Sequence, residues 1–148
     1  MDEQAQGMER REQADPVPLL DSGQLDRLSR HIGAAAMREL LAEGRAELAD
    51  RLTRLSHPAA GEDVGRLAHQ VCGLAGSLGL PLVARHAARA AEAARAECAT
   101  GGALAALMAM AGPSLAALEA WDPPAGDGAA GARRPRNFRA SAVDLRAR

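Results

Sequence analysis

Leu67-Ala68-His69-Gln70-Val71-Cys72-Gly73-Leu74-Ala75-Gly76-Ser77-Leu78-Gly79-Leu80 is the stretch whose reading decides the fold. At about 100° per residue, Val64, Leu67, Ala68, Val71, Ala75 and Leu78 gather on one face, the pattern of a helix laid on a core. His69 points away from that face. Gly65, Gly73 and Gly76 share its outward side, with Arg66 and Cys72 at the flanks. Each glycine inside a helix costs about 1 kcal/mol relative to alanine. Three of them around one histidine are expected to let a macromolecule come close to the ring.

Helices are expected on both sides of this stretch. Asp21 or Ser22 suits the N-cap of a short helix carrying Leu25, Leu28 and Ile32 on one stripe, and Gly33 is placed to end it or hinge it. From Ala34 to Ser56, Met37, Leu41, Gly44, Leu48, Leu52 and Leu55 recur at three or four residues, which predicts about six turns with one buried face. Opposite them Arg38, Glu39, Arg45, Glu47, Asp50 and Arg54 read as a solvated surface. His57 to Gly61 is a turn, and Glu62 and Asp63 favour the start of the histidine helix. Beyond Gly79, Pro81 suits the first turn of a helix striped by Val83, Ala87, Ala90 and Ala94. Gly101-Gly102 reads as a stop. A last helix over about 103–120 carries Leu104, Leu107, Met108, Ala111, Leu115 and Leu118, with a kink expected at Gly112-Pro113.

The composition agrees with helices alone. Of 148 residues 47% are apolar, largely alanine and leucine, and only 1% are aromatic, Trp121 and Phe138. The expected fold is all-α: an up-down-up-down four-helix bundle with an additional short N-terminal helix, over residues 19–121. Residues 1–18 are expected to be a disordered leader, and 122–148 a disordered tail rich in Arg, Pro, Gly and Ala.

A net charge of −1 gives the molecule no overall field for nucleic acid or an anionic membrane, and neither is expected as a partner. All 18 basic residues are Arg. No apolar run is read as reaching the roughly 20 residues of a membrane span, and no signal-peptide pattern is read at the N-terminus. Cys72 and Cys98 fall in no CxxC pair, so reduced thiols and a cytoplasmic location are expected. His69 and Cys72 at i, i+3 are too few ligands for a metal site, and none is expected. No Walker loop, Ser/His/Asp set or paired-carboxylate site is seen. His31, His57 and His86 lack the glycine surroundings of His69.

Ala68-His69-Gln70-Val71-Cys72-Gly73-Leu74-Ala75-Gly76-Ser77-Leu78-Gly79 resembles the signature of histidine phosphotransfer (HPt) domains, usually written AHxLKGSAxxLG. The opening from Leu20 to Leu28, the Gly33 step and Glu39-Leu40-Leu41 are also similar to the start of that family, so the resemblance covers about residues 19–120. It implies a helical bundle with a four-helix core, and a phosphoryl carrier more than a free-standing enzyme. By this resemblance His69 accepts a phosphoryl group from the aspartyl phosphate of a response-regulator receiver domain, or from a histidine kinase, and passes it to a receiver. No cofactor of its own is implied, with Mg²⁺ held by the partner receiver. Gly73, one turn beyond His69, matches the family's small residue, while Cys72 stands where the family usually has Lys. Arg66 is the nearest cation to take its place. A second expectation is an HPt-like docking module that binds a receiver or a kinase without carrying phosphate.

Overall fold

A computed structural model describes residues 16–125, and over these it is entirely helical. The expected leader and tail therefore lie outside the described residues, apart from 16–18 and 122–125. There are five helices among the described residues: α1 (Ser22–Ile32), α2 (Ala34–Ser56), α3 (Val64–Ser77), α4 (Pro81–Arg95) and α5 (Gly101–Ala120).

Local chemistry sets each boundary. The Asp21 side chain accepts the Gln24 N–H at 2.9 Å and caps α1. Gly33, at φ +89°, turns the chain into α2 within a single residue while its N–H still donates to the Ser29 carbonyl at 2.8 Å. Asp63 caps α3 by accepting the Arg66 N–H at 2.9 Å. At the far end of α3 the Leu80 N–H returns to the Ala75 carbonyl at 2.9 Å, and the Gly79 N–H returns to that of Gly76 at 3.2 Å. This closing pair places Gly79 in the left-handed region at φ +68°.

The α4 stop departs from expectation. The same pair of return bonds, Cys98 N–H to Ala93 carbonyl and Glu97 N–H to Ala94 carbonyl, ends α4 around Glu97, a non-glycine residue at φ +52°. Gly101-Gly102 is not the stop; these two residues form the first turn of α5. α5 then runs through Pro113 to Ala120 without terminating.

The helices touch in sequence, α1 on α2, α2 on α3, α3 on α4 and α4 on α5, and α5 returns to α2. Paired residues give directions. Arg54 meets Glu62 while Gly44 meets Leu78, so α2 and α3 run antiparallel. Arg45 pairs with Glu119 at 3.0 Å and Ser56 bonds Met108, so α2 and α5 are antiparallel as well. α1 is tied to the α3–α4 turn: the Asp21 N–H donates to the Gly79 carbonyl at 2.8 Å and Gln24 Nε2 to that of Gly76 at 3.0 Å.

The core follows the expected spacing on α2 and α3 and departs from it elsewhere: Ile32 of the α1 stripe is exposed, and on α4 Ala91 is buried where the expected Ala94 is only half-buried. Met37, Leu41, Gly44, Leu48, Leu52 and Leu55 are all buried on α2, and Leu67, Ala68, Val71 and Ala75 on α3. Leu78 follows α3 and fills the space left by Gly44, where a Cβ would stand 2.6 Å from its methyl. On α4, Val83, Ala87, Ala90 and Ala91 are buried. On α5 the buried face is Leu107, Ala111, Ser114 and Leu118, with Leu104, Met108 and Leu115 half-buried at its edges.

Two expectations are corrected here. α5 is, by length and composition alone, long and apolar enough to cross a membrane, its one charged residue being Glu119. Alanine and glycine made this run look weaker than it is. The fold also continues past Trp121: Asp122 accepts a 3.0 Å ion pair from Arg38, and Pro123 is buried.

Candidate functional site

His69 sits in the second turn of α3 with its ring exposed, because its neighbours Ala68 and Val71 turn inward to the core. Toward the helix C-terminus the surface beside it is bare. A Cβ added at Gly73 or at Gly76 would meet nothing within 4 Å. Among the described residues neither position needs glycine for packing or for a positive φ, so the cost of about 1 kcal/mol at Gly73 is left unexplained by their fold. The same cost is smaller at Gly76, within the last turn.

Gly65 differs from the other two. A Cβ there would lie 3.2 Å from the Ala94 Cβ and 3.8 Å from the Ala91 carbonyl oxygen, so this glycine allows α4 to approach the start of α3. The consequence is a composite surface. Glu62, Asp63, Val64, Gly65, Arg66 and His69 join Ala94 and Arg95 around an open depression of about 680 Å³. Arg95 is the residue that reading the sequence missed. It is the last residue of α4, and only the antiparallel α3–α4 contact brings it to the histidine; the single signal available was the run of alanines that permits so close a contact.

The charges around the depression divide unequally. The Glu62 carboxylate is engaged by the Arg54 guanidinium and by the Ala59 N–H at 3.1 Å, and Asp63 accepts from the helix N-terminus. The hydrogen bond from Arg54, followed by that from Ala59, holds the Glu62 carboxyl below its ordinary value of 4.5. Both acids are thus occupied elsewhere. Among the described residues Arg66 and Arg95 enter no ion pair; Arg95 Nε donates to the Ala91 carbonyl at 3.4 Å, which leaves its terminal nitrogens free.

Cys72 is half-buried and leans on the core, and its thiol supplies no positive charge beside the histidine. Its partner in composition, Cys98, is exposed beyond the end of α4. The structure therefore brings together His69, Arg66, Gly65 and Arg95 around one hollow, with Gly73 and Gly76 forming the open ground beyond it. Such an arrangement suits an exposed nucleophile that works inside a site completed by another molecule. Comparison of the chain with family models, curated proteins and solved structures returns no match.

Proposed function

We propose that this protein is a histidine phosphotransfer carrier in a two-component phosphorelay. In this reading α2 to α5 form an up-down-up-down four-helix bundle with α1 across one end, and His69 takes a phosphoryl group from a receiver domain or a histidine kinase. The observation that carries the reading is the exposed ring beside Gly73 and Gly76, two glycines for which the packing of the described residues gives no reason. A helix stripped of side chains next to a nucleophile is shaped for a partner whose own loops must reach it.

The chemistry asks little of this chain. Neutral imidazole directs the Nε2 lone pair at phosphorus, in line with the bond to the aspartyl oxygen. The N–P bond forms as the P–O bond breaks, and the electron pair leaves with the aspartate carboxylate. The partner receiver supplies Mg²⁺ and most of the charge stabilisation, so an accessible ring on a rigid helix is sufficient on this side. Return to a second receiver is the reverse displacement.

Cys72 favours a second reading, a docking module that binds receivers or kinases without carrying phosphate. The usual cation is missing at that position, and the half-buried thiol cannot replace it. The test is transfer from phosphorylated receivers to the wild-type chain and to His69→Gln, read as acid-labile, alkali-stable phosphate and paired with a binding titration. Label on the wild type alone supports the carrier. Binding of equal strength by both, without label on either, transfers the assignment to the docking module.

A further inference from the structure

We propose that Arg95, together with Arg66, forms a guanidinium clamp that holds the phosphoryl oxygens on His69 and takes the place of the cation absent at Cys72. This rests on the carrier reading and deepens it. Arg66 and Arg95 line the same depression as His69, and they do so from different helices, Arg66 from α3 and Arg95 from the end of α4. Gly65 is what makes this possible, since a side chain there would press α4 away at the Ala94 contact.

The electrostatics favour a dianion in this hollow. Its two acids are already engaged, Glu62 by Arg54 and Asp63 by the start of α3; neither Arg66 nor Arg95 forms an ion pair among the described residues, although Arg66 lies close enough to Glu62 to add to the lowering of its carboxyl. The bond from Arg95 Nε to the Ala91 carbonyl anchors the stem on α4, and its terminal nitrogens enter no ion pair among the described residues. Planar guanidinium groups suit phosphoryl oxygens, which they meet with paired, charge-assisted hydrogen bonds.

Phosphoramidate tests the clamp without any partner protein. Imidazole nitrogen attacks its phosphorus, the N–P bond to the ring forms, the original P–N bond breaks, and ammonia leaves with the proton. The rate of His69 labelling and the lifetime of the phosphohistidine are measured on the full chain, with His69→Gln marking label at other histidines. Arg95→Ala and Arg66→Ala should each reduce the labelling rate by about five- to tenfold, as loss of one charge-assisted contact predicts. Arg95→Lys should recover part of it, the loss should shrink at high salt, and Arg89→Ala, elsewhere on the exposed side of α4, should match the wild type. Arg95→Ala indistinguishable from Arg89→Ala, or a wild-type ring that phosphoramidate does not label, overturns the clamp. Failure of the carrier reading is separate: it is a chain labelled by phosphoramidate with this arginine dependence that accepts nothing from any receiver or kinase.

Discussion

Three glycines that look alike in the sequence have different physical reasons to exist. Gly65 makes room for α4, while Gly73 and Gly76 make room for nothing among the described residues. Gly73→Ala should therefore stabilise the protein by about 1 kcal/mol in urea unfolding, from helix propensity alone, and yet slow transfer from a receiver. A variant that is neither more stable nor slower would remove the argument drawn from that glycine. Glu62 gives a second residue-level prediction. Its carboxyl is held below 4.5 in the folded protein by Arg54 and then Ala59, so its pairing stabilises fully above the unfolded value and is lost as pH falls through the lower, folded one. The urea midpoints of wild type and Glu62→Gln should differ at pH 7 and converge well below pH 4.5; a difference that persists at acid pH would show that the ionised pair is not its source. His69 was legible from the sequence because its exposure follows directly from the phase of Leu67, Ala68 and Val71. Arg95 was not, because its place beside the ring depends on how two helices meet.

At the scale of elements, periodicity located α2 from Ala34 to Ser56 with its six buried positions, since a 3.6-residue stripe of leucines on a charged helix has one way to face a core. Helix ends were harder. Glycine marks the left-handed closing residue of α3, but the same closure in α4 is made by Glu97, and the Gly101-Gly102 pair that looked like a stop opens α5. The two closures give a reciprocal prediction. Gly79→Ala should lower stability by about 1 kcal/mol or more, because a left-handed residue gains a Cβ and because Asp21's carbonyl oxygen lies 3.2 Å from it. Glu97→Gly should raise stability by about 1 kcal/mol for the mirror reason. Equal effects of one sign in thermal melts would contradict the assignment of the two caps. On α5 the expected stripe shifted at its C-terminal half, where Ser114 and not Leu115 is fully buried. With so many small apolar residues around that helix, hydrophobicity alone does not choose a face.

For the molecule as far as residues 16–125 describe it, the absence of strands was legible from the near absence of aromatics, because alanine and leucine spaced at helical period leave no alternating pattern for a sheet. In the proposed function one exposed imidazole, standing over ground cleared for a partner, carries a phosphoryl group between proteins. The most direct test is incubation of the full chain with a phosphorylated receiver or kinase and localisation of the transferred phosphate. The expected result is one acid-labile, alkali-stable phosphate per chain, on His69, absent from His69→Gln and returned to a second receiver when that receiver is added. Phosphate found on another residue, or none on any residue while receivers bind tightly, would contradict it.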